Sequence, residues 1–442
     1  MKKTFFVFAF LFASAYAFAQ TESNLWSDPR TVWEIDARLG KYFPFEPYHA
    51  YMRTMPQYGI DLRLARQTDG RAQWEKDFNY PVYGAFLRYE NNNVDSVKYK
   101  YRDEDGLEQT TWRALGDCYS LGGFLNGHFY RGQYWSFDYD LMGGLSFWTK
   151  HGDEFIGSVV NVHLALDAGP TVMIEDNLDF LIRYQFSHSS NAAIRLPDCG
   201  INVLSWVFGV RYYPNERPTL IPKSSPRPEF QTTTSLFASN SVGLLQTNEW
   251  MRNYQLPDGT MVSDMPNERP YYFADVIQLG LHRQFHPKFS YDVALDLSWT
   301  GETKRMYEKA HQLFDDGHEY FSSDDAIPLM EYSFARGLHL APSVLFEINY
   351  NRFAFCIGGG YYLWHGIYYG TDQKKTWSLA ESGESNFEDT YLPPCYRTFY
   401  ERLGVKYTLG ENRNMFIGSF MKLHSGVIDY AEFTFGWHLF QW

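Results

Sequence analysis

Long segments of this sequence alternate between apolar and polar residues, and this alternation is the feature that most restricts its fold. In residues 135–148 one parity carries the apolar side chains Trp135, Phe137, Tyr139, Leu141, Leu145 and Phe147, and the other carries Ser136, Asp138, Asp140, Met142 and Ser146. The same pattern recurs in residues 160–172 and 177–190. Successive side chains of a strand point to opposite faces, so this period of two predicts strands with one apolar and one polar face. The sequence therefore predicts an all-β protein.

The first residues have the features of a secretory signal peptide, which we assign to residues 1–19. Lys2 and Lys3 precede an apolar stretch from Phe5 to Phe12, and small residues at Ala17 and Ala19 offer a cleavage site. An uncleaved membrane anchor is the alternative, although the apolar run is short for a membrane span. The remaining sequence has no apolar run of about 18 residues, the length that a membrane helix needs. The protein is thus predicted to be exported, as either a soluble β-sandwich or a membrane β-barrel.

Composition and charge narrow this choice. The 39 Lys+Arg and 52 Asp+Glu residues give a net charge of −13, whereas a nucleic-acid partner requires a basic surface. Aromatic residues make up 19% of the chain, which excludes disorder, and a mean hydropathy of −0.41 excludes a bundle of membrane helices. Export, the length of the alternating segments and the aromatic residues near their ends favour a membrane barrel over a sandwich.

Sixteen strands are predicted, in two sets of eight. The first set begins near Val32, Gln57, Val82, Leu115, Tyr134, Val159, Asn177 and Asn202, and the second near Phe230, Tyr272, Phe289, Gly337, Arg352, Tyr396, Asn414 and Asp429. Long polar connections, such as 91–109, 303–327 and 370–394, alternate with short ones. Outer-membrane barrels show this asymmetry, with long loops outside the cell and short turns in the periplasm.

The two sets also resemble each other in sequence. Residues 137–148 match 353–364, and residues 175–190 match 411–426 with His188 aligned to His424. The segment 214–228, PNERPTLIPKSSPRP, separates the sets, and its prolines exclude a ladder strand and favour a stiff spacer. We therefore predict two tandem eight-stranded antiparallel transmembrane β-barrels, 20–213 and 229–442, joined by the linker 214–228. A single sixteen-stranded barrel is the alternative.

One hairpin combines the residue types of an acyl-transfer site. His188 and Ser190 lie at the alternate positions that form the apolar face of their strand, and Asn202 lies on the apolar face of the next strand. All three are therefore predicted to face lipid. Bare polar groups are costly there, which favours a functional role. A histidine can take the proton of a serine hydroxyl while a third group orients the ring. The alternative is an ordinary polar hairpin end, where Ser and Asn favour the turn.

The same hairpin resembles a known signature. His188 to Ala192, HSSNA, followed by Pro197 to Asn202, PDCGIN, resembles the motif of the outer-membrane lipid A 3-O-deacylases of the PagL type. This resemblance extends over about Trp33–Tyr213, and the two-half form ending in KLHSGVIDYAEFTFGWHLF resembles the acyloxyacyl hydrolase-type members of the Bacteroidota. It implies an outer-membrane enzyme that hydrolyses the ester-linked acyl chain at position 3 of lipid A, with no metal and no cofactor.

The resemblance also implies a role for each residue of the hairpin. The nucleophile is Ser190, the general base is His188, and the oxyanion hole comprises Asn191 with the amides of Ala192 and Ala193. The partner is lipopolysaccharide, and a count of strands from a periplasmic N-terminus places the hairpin tip at the outer leaflet. Two residues differ from the family: Asn202 stands where its acid, commonly Glu, is found, and Ala193 replaces a glycine. A neutral amide orients a histidine but does not stabilise imidazolium by charge.

A second candidate group lies near the C-terminus. His424, Asp429 and Glu432 have the chemistry of an acid–base group, but the residue aligned with Ser190 is Gly426, and we favour a structural hydrogen-bond network there. For the whole protein, the alternative to an esterase is a non-enzymatic outer-membrane barrel, a porin or an adhesin. A palmitoyl transferase that uses the same lipid is a third class.

Overall fold

The computed structural model describes residues 28–44, 47–93, 95–102, 108–151, 155–192, 194, 200–223, 229–246, 271–301, 333–365, 398–424 and 427–442. The predicted signal peptide, Ala193 and Gly426 lie outside these ranges. Within them, helical structure is limited to short segments at Pro47–Thr54, Gln73–Asp77 and Phe334–Gly337 and to the single residue Thr398. None of the described helices is long and apolar enough to cross a membrane.

The first half of the chain forms a closed, eight-stranded antiparallel barrel. The strands of this half are β1 (Thr31–Tyr42), β2 (Pro56–Gln67), β3 (Val82–Asn92), β4 (Val97–Arg102), β5 (Glu108–Arg113), β6 (Gly116–Arg131), β7 (Trp135–Trp148), β8 (Val160–Glu175), β9 (Leu178–Ser190) and β10 (Ile201–Tyr212). The barrel order is β1-β10-β9-β8-β7-β6-β3-β2, closed by the pairing of β1 with β2, while β4 and β5 form a separate hairpin. The connections that follow β1, β3, β7 and β9 lie at one end of the barrel, which we call the loop end.

The second half forms another closed barrel of the same kind. Its strands are β11 (Thr233–Gln246), β12 (Tyr271–His286), β13 (Phe289–Thr300), β14 (Leu338–Tyr350), β15 (Phe353–Tyr361), β16 (Trp364–His365), β17 (Phe399–Leu409), β18 (Met415–His424) and β19 (Val427–Gln441). Eight of them form the barrel, which the pairing of β13 with β14 closes, and the two-residue β16 adds to β14. The prediction of two eight-stranded barrels rather than one of sixteen strands is confirmed.

Alternation along each strand separates a charged interior from an apolar exterior. On β1, Ile35 is 53% exposed on the outer face, whereas the guanidinium-bearing Arg38 is 1% exposed inside. The outer faces of both barrels carry further exposed apolar residues, among them Leu39, Ile60, Leu62, Leu87, Leu166, Trp206, Ile277, Leu279, Leu295 and Ile357. A surface of this kind is stable when hydrocarbon covers it. Both barrels therefore have the surface of transmembrane β-barrels.

Ion pairs fill the interior of the first barrel. Arg63 pairs with Glu34 at 3.3 Å, Asp36 at 2.8 Å and Asp140 at 2.6 Å. Arg183, on β9, pairs with Glu34 at 2.5 Å. Buried charges are stable only when they are paired and hydrogen-bonded, and these arginines satisfy several carboxylates at once. An eight-stranded barrel is just wide enough for its own side chains, so this interior is filled by the network.

The proline-rich segment is tied to the first barrel over its described part. Arg217 pairs with Asp179 at 2.8 Å, and the backbone of Ile221 bonds the carbonyl of Asp69 and the hydroxyl of Tyr80. Pro197–Pro228 belongs to one compact unit and Glu229–Trp442 to the other. Residues 214–223 therefore pack against the end of the first barrel opposite the loop end.

Candidate active site

A chain of two hydrogen bonds joins Ser190, His188 and Asn202 at the loop end of the first barrel. The Nε2 atom of His188 lies 2.9 Å from Oγ of Ser190, and its Nδ1 atom lies 2.7 Å from Oδ1 of Asn202. Antiparallel pairing places Asn202 of β10 directly opposite His188 of β9. Ser190 is two residues further along β9, so the alternation of the strand returns it to the face of His188. The hairpin geometry thus brings together the three residues that the sequence singled out.

The hydrogen bonds define the tautomer of His188. Because the amide oxygen of Asn202 only accepts, Nδ1 carries the hydrogen and donates it to Asn202. Nε2 is then left with its lone pair and accepts the hydroxyl hydrogen of Ser190. This is the arrangement in which an imidazole acts as a general base toward a serine, with a third group holding the ring.

The group lies on the outer face of the barrel. His188 shares that face with Phe186, and Leu204 lies opposite Phe186 on β10. Two residues further from the loop end, the rings of Tyr184 and Trp206 contact edge to face at 5.1 Å. The polar side chains are nevertheless largely covered, since Ser190 and Asn202 are each only 6% exposed. A hydrogen-bonded serine and histidine and an apolar wall therefore occupy one patch.

Ser189, between the two reactive residues, faces the other way. Its Oγ lies 3.0 Å from Nδ1 of His163 inside the barrel. Nε2 of His163 accepts from Arg88, which is paired with Asp61 at 2.6 Å. The interior network thus holds the strand at the residue that separates His188 from Ser190.

The loop after Ser190 contains the candidate oxyanion residues. Asn191 and Ala192 are both buried, and Ala192 has a φ of +55°, a conformation that costs a residue with a side chain. Ala193 lies outside the described residues. The next described strand, β10, starts at Ile201.

Gly200 belongs to the signature segment, but no role was predicted for it. Gly200 has a φ of +71°, and its Cα lies against the imidazole of His188. Its position two residues before Asn202, which pairs with His188 across the hairpin, is the signal that could have pointed to Gly200. The apolar cluster beneath the hairpin was also missed; it contains Tyr42, Met52, Met55, Val97, Leu115, Cys118, Trp148, Phe155, Ile156, Ile201 and Val203.

The second candidate group is only partly assembled. His424 donates through Nδ1 to Asp429, and its Nε2 lies 3.1 Å from the hydroxyl of Tyr362. Glu432 instead pairs with Arg402 at 2.5 Å. The structure thus brings His424 and Asp429 together in a hydrogen bond, while Glu432 has a different charged partner.

The match between the two halves also does not preserve the face of the histidine. His424 shares its face of β18 with the buried rings of Phe416 and Phe420, so it points into its barrel. His188 points out of the other one. Side chains alternate along a strand, so a relative shift of one residue exchanges the two faces completely. The aligned histidines are not equivalent in space.

Inside the second barrel, one cluster has the composition of a metal site. Ligand atoms of His282, Asp292 and Glu347 lie within 4.8 Å of one another. The ammonium group of Lys406 contacts both carboxylates. Lys406 thus already supplies the positive charge that these carboxylates require, and the cluster is an ion-pair network.

No protein-family model matches this sequence, and no curated protein matches it. Among solved structures, it is similar to Neisserial surface protein A, with 10% identity, a TM-score of 0.27, and coverage of 41% of this chain and 96% of that one. It is also similar to the outer membrane enzyme PagL, with 15% identity, a TM-score of 0.24, and coverage of 40% and 97%. For Ail, the attachment invasion locus protein of Yersinia pestis, the identity is 14%, the TM-score 0.20, and the coverage 41% and 96%.

The charged interiors, the apolar exteriors and the closed ladders identify the fold. The rings of Tyr89 and Tyr119, 5.3 Å apart, lie near the loop end of the first barrel, and those of Tyr130 and Trp135, 4.7 Å apart, lie near its other end. Aromatic residues at both ends of an apolar band are typical of barrels in outer membranes. The protein is an all-β protein of two eight-stranded barrels of the outer-membrane type.

Proposed function

We propose that the protein is an outer-membrane esterase that hydrolyses an ester-linked acyl chain of lipid A, with Ser190 as nucleophile and His188 as general base. The observation that carries this proposal is the hydrogen-bond chain from Ser190 through His188 to Asn202 on the outer face of the barrel. A hairpin end needs residues that favour a turn, but it does not need a hydrogen-bonded serine, histidine and asparagine on the outer face of the barrel. The 3-O position of the ester is inferred from the resemblance to the PagL-type deacylases.

The geometry supports a two-step acyl transfer. Nε2 of His188 takes the hydroxyl proton as Oγ of Ser190 attacks the ester carbonyl carbon, whose π electrons move to the carbonyl oxygen. Collapse of this intermediate breaks the bond to the sugar oxygen, which leaves with the proton from His188. Water then attacks the acyl-serine, again with His188 as base, and the fatty acid and free Ser190 are released. In this scheme the side chain of Asn191 and the amides of Ala192 and Ala193 donate hydrogen bonds to the oxyanion.

Asn202 orients the base but does not add charge. Its amide oxygen holds the Nδ1 hydrogen of His188, which keeps Nε2 available for Ser190. A carboxylate in this place would also attract the imidazolium that forms during the attack, and charge-assisted hydrogen bonds are about twice as strong as neutral ones. The proposed enzyme therefore lacks the charge stabilisation of the imidazolium that a Glu at this position supplies.

The surroundings of the site fit an anionic lipid. Phe186, Leu204 and the Tyr184–Trp206 pair form an apolar wall for an acyl chain. Lys41 lies opposite Leu204 at the end of β1, exposed on an outer face that is otherwise apolar. Diagonal neighbours on adjacent strands lie about 7–8 Å apart, so a lysine there reaches the headgroup of a lipid bound at Asn202. A phosphorylated sugar headgroup has the complementary charge.

The proposed location follows from the signal peptide of residues 1–19 and from the two barrels. With the N-terminus in the periplasm, β9 runs outward and the loop end of the first barrel lies at the outer leaflet, where lipopolysaccharide is found. The first barrel, 20–213, then carries the activity. The second barrel, 229–442, follows the segment 214–228 in the sequence. Its role is to anchor the protein or to present the substrate.

A non-enzymatic barrel is the second candidate function. The ion pairs that fill the first barrel weigh against a porin, because porins of larger strand number enclose a water-filled channel. An adhesin would use the loop end for protein contacts and would leave lipid A unchanged. A palmitoyl transferase would make lipid A heavier rather than lighter.

Mass spectrometry of lipid A from cells that contain or lack the protein separates these classes. We expect lipid A from the producing cells to be lighter by one ester-linked acyl chain. Unchanged lipid A in cells with a correctly inserted barrel would favour the adhesin, and a gain of one acyl chain would favour the transferase.

A further inference from the structure

We propose that Gly200 is a positioning residue for the general base: its bare Cα forms the wall against which the imidazole of His188 packs. Any side chain at residue 200 would push the ring away from Ser190 and Asn202. This inference rests on the proposed esterase function, and it adds a residue that the hydrogen-bond chain itself does not include.

The distances around Gly200 leave no room for a side chain. A Cβ atom at this residue would lie 2.7 Å from Cε1 of His188, and 3.2 Å from both the carbonyl oxygen of Ser189 and Cβ of Ser190. Cε1 is the ring atom bonded to both Nδ1 and Nε2. A contact at this atom therefore displaces the two nitrogens together and disturbs both hydrogen bonds.

The backbone at Gly200 is held more firmly than the imidazole of His188. The backbone N–H of Gly200 donates to the carbonyl of Phe155 at 3.0 Å. Phe155 and the next residue, Ile156, are buried in the apolar cluster at the loop end, together with Ile201. Moving Gly200 outward would break this bond and pull Ile201 out of the cluster. The imidazole lies at the end of a side chain that can rotate, so it is expected to move instead.

The simpler explanation of Gly200 is its backbone conformation, since a φ of +71° favours glycine in any turn. Gly116 provides a matched control for this effect. It also lies at the loop end of the first barrel, has a φ of +94°, and meets Thr149 and Lys150 rather than the reactive group. Gly116→Ala therefore imposes the backbone strain and a steric contact without touching His188.

A second substitution separates strain from contact at residue 200 itself. Asparagine tolerates positive φ better than other residues with a side chain, yet it carries the Cβ atom. If φ alone made glycine necessary, Gly200→Asn would recover the activity that Gly200→Ala loses. If the contact with the imidazole is the cause, both variants fail.

The experiment uses the full-length protein folded in detergent and compares wild type with Gly200→Ala, Gly200→Asn, Gly116→Ala and Ser190→Ala. We expect both Gly200 variants to lower kcat for acyl release on the order of 100-fold, the effect of misplacing a reacting group by about 1 Å, with KM little changed. Gly116→Ala should retain the wild-type kcat. Wild-type kcat in either Gly200 variant, or an equal loss in Gly116→Ala, would overturn the inference.

A spectroscopic measurement keeps this inference separate from the proposed function. Side-chain ¹⁵N spectra of histidine-labelled protein, assigned with His188→Ala, report the tautomer of His188 without any turnover. We expect the Nδ1–H tautomer in wild type and Gly116→Ala, and its loss in both Gly200 variants. Unchanged His188 signals in those variants would overturn the positioning role. If wild type and Ser190→Ala were equally inactive while these spectra changed as expected, only the esterase proposal would fail.

Discussion

Ser189 and Ser190 are neighbours on one strand, yet their hydroxyl groups belong to opposite sides of the barrel wall. Oγ of Ser189 lies 3.0 Å from Nδ1 of His163 in the interior, and Oγ of Ser190 lies 2.9 Å from Nε2 of His188 on the outer face. Each serine thus has a histidine of its own. The pair provides a test in which two similar substitutions, one residue apart, have different consequences.

The first prediction concerns the nucleophile and its base. Ser190→Ala and His188→Ala should each reduce acyl release by several orders of magnitude, because the members of such a unit act together. Ser189→Ala should retain turnover and lose some stability, about 1–3 kcal/mol if the buried partner is left unsatisfied. Turnover with purified lipid A, together with a folding assay in detergent, checks all three variants. Full activity in Ser190→Ala, or loss of activity only in Ser189→Ala, would contradict the assignment.

The second prediction concerns the neutral partner of His188. Asn202→Ala should lower kcat because the imidazole loses the acceptor that holds its tautomer. Asn202→Glu should maintain or raise kcat because a carboxylate also stabilises imidazolium, although its desolvation limits the gain. The comparison requires both variants and wild type at one pH. Wild-type turnover in Asn202→Ala would remove this residue from the mechanism and leave a Ser–His pair.

The third prediction concerns the headgroup of the substrate. Lys41→Gln should raise KM for an anionic lipid A roughly tenfold, the effect of one lost charge-assisted hydrogen bond, and leave KM for an uncharged acyl ester unchanged. Lys41→Arg should keep most of the affinity. Lys150→Gln, an exposed lysine in another connection at the loop end, is the matched control. Equal effects on charged and uncharged esters would show that Lys41 does not recognise the headgroup.

The fourth prediction separates the two histidine groups. His424→Ala should leave acyl release by the first barrel unchanged, since His424 faces the interior of the second barrel. It should reduce stability, by about 1–3 kcal/mol, because the buried Tyr362 and the partly buried Asp429 each lose a hydrogen-bond partner. His188→Ala should show the reverse: a folded and inactive protein. Loss of acyl release in His424→Ala would mean that the second barrel takes part in the chemistry.

The strands were largely predictable because their alternation is a local property of the sequence. The strand expected near Asn177 begins at Leu178, and the one expected near Gly337 begins at Leu338. The hairpin of β4 and β5 was missed, since its charged residues read as a polar loop in the segment 91–109. Its described apolar contacts are Val97 in the apolar cluster and the ring of Trp112, 5.8 Å from that of Tyr51, and two such residues give no alternation that the sequence could reveal.

The site was predictable in its residues but not in its environment. Parity placed His188, Ser190 and Asn202 on one face, and antiparallel pairing brought them into contact. The alternation of side chains along a strand does not predict that Gly200 packs on the imidazole, because Gly200 lies outside the strands, directly before β10. It also did not reveal that His424 faces inward, since sequence alignment does not detect the one-residue shift that exchanges the faces.

The most direct test of the central claim is acyl release by purified full-length protein from lipid A in oxygen-18 water, followed by mass spectrometry of both products. Hydrolysis through an acyl-serine predicts lipid A that has lost one ester-linked chain, and a free fatty acid with oxygen-18 in its carboxylate. The Ser190→Ala protein, folded equally well, should release none. Release by Ser190→Ala at the wild-type rate, or intact lipid A after incubation with folded wild-type protein, would contradict the account.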